Sequence, residues 1–89
     1  HVSGAKLSEH GYANALDVSA FTLADGRKIS VKRDWNGSEA EQAFLRTVHR
    51  GACEKFTTVL GPNYDRAHND HFHVDLARHG IGGLKRICK

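Results

Sequence analysis

The sequence predicts an α+β domain, in which a small antiparallel sheet packs on one amphipathic helix. Three observations predict this class: a hairpin signal near residue 25, a capped helical pattern over residues 39–56, and an alternating segment at residues 71–77. The chain has no repeat, low-complexity tract or proline-rich linker, so we expect a single domain over residues 1–89. We also expect this domain to be truncated at its N-terminus, because only nine residues precede His10, the first candidate metal-ligating residue.

The first half of the chain has the pattern of a β-hairpin. The run ANALDVSAFTL, residues 13–23, is rich in strand-forming residues, and RKISVKR, residues 27–33, is a second such run. The Asp25-Gly26 pair between them is typical of a tight turn. The sequence therefore predicts two antiparallel strands here.

A helix is predicted next, over about residues 39–56. Ser38 and Glu41 have the spacing of a capping box. We expect Trp35, just before the helix, to be a core or anchoring aromatic rather than a substrate platform. Apolar residues spaced four apart mark the buried face of the helix: Ala40, Phe44, Val48, Ala52 and Phe56.

The second half of the chain predicts one or two more strands. TTVLG, residues 57–61, has the composition of a short strand, and GPNYDRAHND, residues 61–70, that of a loop. FHVDLA, residues 72–77, follows as a strand, and a period of two places His71, His73 and Asp75 on one face. The final segment GIGGLKRICK has an irregular pattern.

The charge of the chain argues against a nucleic-acid partner, and its hydrophobicity argues against a transmembrane segment. Thirteen Lys and Arg against ten Asp and Glu give a formal charge of +3, and no basic stripe or stacking aromatics accompany it, so we expect no nucleic-acid partner. No stretch is apolar and long enough to predict a transmembrane segment.

The two cysteines, Cys53 and Cys88, predict a disulfide. An even pair in a small domain is typical of an oxidising compartment, and a covalent link would compensate for a small core. The alternative is two free thiols, one in the helix and one in the C-terminal segment.

Two short stretches concentrate metal-ligand residue types: SEHGYANALDV at residues 8–18 and HNDHFHVDL at residues 68–76. A catalytic zinc site takes three nitrogen or oxygen ligands and leaves one position open. His10, Asp17 and His73 could supply that set. The alternative is a loop that is rich in histidine without binding a metal.

Spacing restricts how His10 and Asp17 could share one ion. Seven residues span ~10 Å of rise in a helix and ~23 Å in a strand, so the backbone must fold back between them. Gly11 and Asn14 are residue types that permit such a turn.

The second stretch also offers residues for proton transfer. His71 shares the face of His73 if the strand is already regular at that point, and Asp70 reaches the same site only if its position is still loop. Both candidates stay open. Asp75 is either a partner that orients a ligating imidazole or a structural hydrogen bonder.

SEHGYANALDV and DHFHVDL resemble the two motifs of the extensin-like C-terminal family of bacterial proteins. The resemblance runs through most of the chain, including VLGPNYDRAH. That family is similar to the M15 zinc D-alanyl-D-alanine peptidases, of the VanY type, and to lysostaphin-type enzymes. The resemblance therefore implies the hedgehog/DD-peptidase fold.

The resemblance implies a role for six positions. His10, Asp17 and His73 match the zinc ligands in that order. Asp70 matches the general base of the M15 enzymes, and His71 the assisting histidine of the lysostaphin branch. Ser8 matches a residue beside the metal that contacts substrate.

The implied function is a zinc-dependent peptidase, a peptidoglycan hydrolase of the bacterial periplasm or cell envelope. It would cut peptide bonds that contain D-amino acids, as a DD-carboxypeptidase or an endopeptidase. One departure stands against this: the M15 enzymes hold substrate with an arginine upstream of the first motif. Arg27, Arg33 or Lys6 could replace it here, but no motif identifies any of them. The alternative is a non-catalytic module that contains zinc and binds cell-wall peptides.

Overall fold

The computed structural model of the chain describes residues 2–7, 15–83 and 85–89, with only the backbone described for residues 2–7 and for residue 68. This part forms a small α+β domain. Its elements in chain order are β1 (Val2–Leu7), β2 (Leu16–Thr22), β3 (Lys28–Ser30), α1 (Val31–Asp34), α2 (Glu39–Lys55), β4 (Thr58–Leu60), β5 (Phe72–Asp75) and β6 (Ile87–Cys88).

The sheet is mixed, and the expectation of an antiparallel sheet is wrong in that respect. Its strand order is β1-β2-β5-β4-β6, with β3 paired to β2 beyond the end of β5. All pairs are antiparallel except β4 and β6, which align Thr58 with Ile87. The parallel pair arises because the C-terminal segment, expected to be irregular, returns along β4 and donates the Ile87 N–H to the Thr57 carbonyl at 2.8 Å.

The predicted hairpin is confirmed, but its second strand is shorter than expected. Gly26 has a φ of +90°, which glycine adopts without strain, and the turn closes through a 2.8 Å bond from the Leu23 N–H to the Arg27 carbonyl. β3 then ends at Ser30, whose hydroxyl accepts from the Arg33 N–H and caps α1. The end of the predicted strand is thus helical, because a capping residue interrupts it.

The long helix α2 forms where the capping box predicts it. The Ser38 hydroxyl accepts from the Glu41 N–H, and the Glu41 carboxylate accepts from the Ser38 N–H. The fully buried residue of α2 is Leu45, which was not among the apolar residues spaced four apart. An apolar stripe on a helix is more than one residue wide, so Leu45 faces the core beside Phe44 and Val48.

The core lies between one face of the sheet and the helices. Its buried members are Val18, Phe21, Ile29, Val31, Trp35, Leu45 and Phe72. The Trp35 ring meets the Phe72 ring edge-on at 5.7 Å, so the expectation of a core aromatic is confirmed. In β5, Phe72 and Val74 are buried against this core. The alternation of a strand therefore directs His73 and Asp75 to the opposite face.

The predicted disulfide between Cys53 and Cys88 is present, and it joins α2 to β6. None of the helices in the described part of the chain has the length and apolar character needed to cross a membrane.

Asp34 is a buried carboxylate that fixes the corner between β3 and α1. It is 4% exposed and accepts from the Ser30 N–H at 2.8 Å and from the Arg33 guanidinium at 2.8 Å. The hydrogen bond from Arg33 lowers the pKa of Asp34, against a smaller rise caused by burial.

Replacing this carboxylate with an amide, Asp34→Asn, is expected to reduce the free energy of unfolding at pH 7 by about 1.5–3 kcal/mol, the value of a hydrogen bond to a charged group. Since the folded pKa lies below the unfolded one, the stabilisation is fully present above the unfolded pKa and is lost as the pH falls through the folded pKa. Urea unfolding of both proteins at pH 7 and in acid measures the difference. If the difference in free energy of unfolding between the parent and Asp34→Asn were the same in acid as at pH 7, the electrostatic explanation would be contradicted. Asp25→Asn, at an exposed carboxylate, is the matched control.

Candidate functional site

The pairing of β2 with β5 places Asp17 directly opposite His73, although 56 residues separate them in the chain. The Asp17 carboxylate Oδ1 lies 2.9 Å from His73 Nδ1. Their neighbours Val18 and Phe72 are also paired, and both are buried in the core. The Asp17 and His73 side chains therefore meet on the face that does not carry the core.

His73 lies between two carboxylates. Its Nδ1 contacts Asp17, and its Nε2 lies 2.7 Å from Asp75 Oδ2. Burial is the largest single influence and disfavours the charged ring, but the hydrogen bonds to Asp75 and Asp17 together outweigh it and raise the pKa of His73. The two carboxylates thus stabilise positive charge at this position.

Asp75 makes both a structural hydrogen bond and a contact with the imidazole of His73. Its Oδ1 accepts from the Ala77 N–H at 2.9 Å, which is a structural contact, while Oδ2 contacts His73 and orients the ring. Burial raises the pKa of Asp75, but hydrogen bonds from Thr58, from the Ala77 N–H and from His73 outweigh it, so the pKa is lowered overall. An ionised Asp75 can therefore accept from the imidazole.

Asp70 and His71 form a second carboxylate–imidazole pair beside the first. Asp70 Oδ1 lies 2.7 Å from His71 Nδ1, and the hydrogen bond with His71 lowers the pKa of Asp70, with a smaller contribution from the charge of Lys32. The other ring nitrogen, His71 Nε2, lies 4.0 Å from Asp17 Oδ1. Residues 70 and 71 precede the first residue of β5, which leaves both side chains close to the site.

Four of the predicted site residues therefore cluster at one end of β2 and β5: Asp17, Asp70, His71 and His73. The cluster is accessible to solvent, since the Asp70 side chain is 57% exposed and that of Asp17 is 36% exposed. His10, the predicted first zinc ligand, and Ser8, the predicted substrate contact, lie outside the described residues.

The family model for the C-terminus of extensin-like proteins matches residues 1–89. The chain belongs to this family. No curated protein and no solved structure matches the sequence.

In this extensin-like domain, Asp17 and His73 are of residue types that can hold a divalent cation, but the described residues add no third His, Cys, Asp or Glu ligand atom within 4.8 Å of both. Imidazole nitrogen and carboxylate oxygen are zinc ligand types, and Asp17 with His73 supplies one of each. With Asp70 and Asp75, three carboxylates surround the two imidazoles, which favours a bound cation in the same way as it favours protonated His73.

Another group of ligand types is present in the extensin-like domain, on α2 and β6. His49, Cys53 and Cys88 have ligand atoms within 4.8 Å of one another. Both sulfurs are joined in the disulfide, so they are not thiolate ligands. His49 packs its ring at 5.5 Å from that of Phe72.

The proposed substitutes for the upstream arginine have other partners. The Arg33 guanidinium contacts Asp34 and donates to the Lys28 carbonyl, and Arg27 pairs with Asp25 in the hairpin turn. The Lys6 side chain is outside the described part. Both arginines are therefore already paired with neighbouring carboxylates.

Proposed function

We propose that the chain is a zinc-dependent peptidase that hydrolyses D-amino-acid-containing peptide bonds of peptidoglycan, as a DD-carboxypeptidase or an endopeptidase. The observation that carries this proposal is the 2.9 Å contact of Asp17 with His73, two predicted zinc ligands from distant parts of the chain. The substrate class rests on the resemblance of the two motifs to the M15 and lysostaphin-type enzymes.

Asp17 and His73 would hold the zinc ion together with His10. When bound, zinc polarises a carbonyl and lowers the pKa of water. His73 would release its Nδ1 proton on binding, while its Nε2–H keeps the contact with Asp75 and fixes the ring.

The Asp70–His71 pair would carry the proton. Asp70 is held ionised by its hydrogen bond with His71, and His71 Nε2 lies towards Asp17. One member of the pair can therefore accept the proton of the attacking water and pass it to the leaving amine. The other member would orient the proton acceptor or balance its charge. We assign the step to the pair, because Asp70 Oδ1 and His71 Nδ1 are in hydrogen-bond contact at 2.7 Å.

The disulfide supports a location in the periplasm or cell envelope, where such bonds persist. Peptidoglycan would be accessible there. We therefore place the proposed activity outside the cytoplasm.

The alternative is a module that binds zinc and a cell-wall peptide without turnover. The observation that favours it is the engagement of Arg27 and Arg33 by neighbouring carboxylates. If neither arginine leaves its carboxylate partner, neither can orient a substrate carboxylate or carbonyl as the arginine of the M15 enzymes does.

Digestion of purified muropeptides tests the proposal. We expect the zinc-loaded chain to release new fragments, identified by mass spectrometry, and a chelator to abolish them, because the ion activates the nucleophile. Adding zinc back should restore cleavage. The fragment masses would identify the bond that is cut.

A folded, zinc-loaded chain that cuts no muropeptide would contradict the peptidase. Retention of the same muropeptides by the zinc-loaded chain would then support the binding module. Cleavage that persists at full rate after complete removal of zinc would contradict the metal-dependent mechanism.

A further inference from the structure

A second concave region lies on the other side of the sheet from the Asp17–His73 pair. It is a cavity of about 490 Å³, which is within the range of small-molecule sites. His49 lines it and packs against Phe72, whose side chain faces the core while that of the adjacent His73 faces away. The two sites are therefore separated by the sheet.

The charges around this cavity have one sign. Arg46 and Arg50 come from α2, and Lys89 comes from the end of the chain beside β6. None of the described residues that line the cavity has a side-chain carboxylate. Three cations around one opening create a positive potential, which favours an anionic ligand.

The Arg46 guanidinium is fixed in place before any ligand arrives. It stacks on the Trp35 ring with 4.1 Å between its central carbon and the ring centroid, and it donates to the Trp35 carbonyl at 2.8 Å. A guanidinium has five N–H donors in a planar fork, so this contact leaves others for a planar or tetrahedral oxyanion. Little side-chain entropy would be lost on binding.

Further donors lie in the same wall. Asn63 accepts from the Trp35 indole N–H at 3.3 Å through its Oδ1, which orients the amide and leaves its NH₂ group as a donor. The His49 ring, which lines the same wall, is within hydrogen-bonding reach of the Lys89 backbone, and burial, the larger influence, lowers the pKa of His49. The Asn63 amide therefore adds a neutral donor to the cations of this cavity.

We propose that this cavity is a second ligand site, which binds a ligand carrying a carboxylate or phosphate group against Arg46, Arg50 and Lys89. The site is independent of zinc and of the proposed hydrolysis. Its recognition chemistry is an oxyanion held by a preorganised guanidinium.

Trp35 is the only tryptophan of the chain and reports on this cavity directly. We expect its fluorescence to change saturably, in the millimolar range, when zinc-free protein is titrated with inorganic phosphate or with acetate. Sodium chloride at equal ionic strength should give no saturable change. The Trp35 indole N–H, observed by NMR, gives a second signal, since Asn63 binds it.

Arg50→Gln is the decisive variant, because its side chain is exposed and its loss should leave the fold intact. We expect it to weaken binding by about tenfold, since charge-assisted hydrogen bonds are roughly twice as strong as neutral ones. Lys28→Gln removes the same charge from β3, outside the cavity, and should bind as the parent does.

The two anions distinguish the ligand classes. A response to phosphate alone would assign a phosphate ligand, a response to acetate alone a carboxylate, and a response to both a general oxyanion site. No saturable response to either anion would overturn the proposal, as would equal affinities of the parent and Arg50→Gln.

Discussion

Replacing His73 with alanine is expected to abolish both zinc binding and muropeptide cleavage. His73 contacts Asp17 and Asp75 and is the proposed ligand that joins β5 to β2. Asp17→Asn, which keeps the shape of the side chain, should have the same effect. We expect a loss of more than roughly 100-fold in zinc affinity, since even residues that only orient a ligand cost about 10–100-fold. Zinc titration and turnover, measured on the same samples, test this.

Two further variants separate metal binding from proton transfer. Asp70→Asn should retain zinc and lose hydrolysis, because Asp70 contacts His71 rather than the Asp17–His73 pair. Unchanged turnover in this variant would assign the proton transfer to His71 alone. Asp75→Asn should weaken zinc binding by about 10–100-fold, as expected for a residue that orients His73.

Asp25→Asn is the matched control, since Asp25 is an exposed carboxylate in the hairpin turn. It should bind zinc and turn over as the parent does. Parent-like zinc affinity in a folded Asp17→Asn protein would contradict the assignment of Asp17 as a ligand.

Removing the disulfide with Cys53→Ser and Cys88→Ser together is expected to lower the free energy of unfolding by about 3–4 kcal/mol. The bond closes a loop between residues 35 positions apart, and its main effect is to restrict the unfolded chain. Domains of this kind are stable by only about 5–15 kcal/mol. Urea unfolding measures the loss, and the slope of the transition should increase, because the unfolded chain exposes more surface.

The parent protein, reduced by a dithiol, is the control for the serine substitutions. Its unfolding midpoint should fall to that of the double variant. If the double variant unfolded at the urea concentration of the oxidised parent, the disulfide would contribute no net stability.

The parts of the fold that sequence predicted correctly depend on local signals. The Asp25-Gly26 turn, the Ser38–Glu41 capping box and the strand that contains Phe72 are each encoded within a few residues. β1 and β6 have no comparable signal. Their hydrogen bonds come from β2 and β4, so they form only when the tertiary structure supplies a partner.

The candidate site also contains some contacts that the sequence could predict and others that it could not. The contact between Asp70 and His71 joins adjacent residues, and the two motifs identified both of them. The contact between Asp17 and His73 depends on the alignment of two strands, which spacing along the chain does not determine. The position of His49 and the grouping of cations around the cavity could not be predicted either, because α2 and the C-terminal segment meet only in the folded protein.

Alternate residues of β5 have different roles: Phe72 and Val74 are buried in the core, while His73 and Asp75 belong to the candidate site. A slip of one position along β2 would exchange these two sets. It would expose apolar side chains and bury an imidazole and a carboxylate, both at a free-energy cost. A molecule that misplaced its candidate ligands would thus also lose its core, so such errors would be removed as unfolded protein instead of accumulating as folded protein with a defective site.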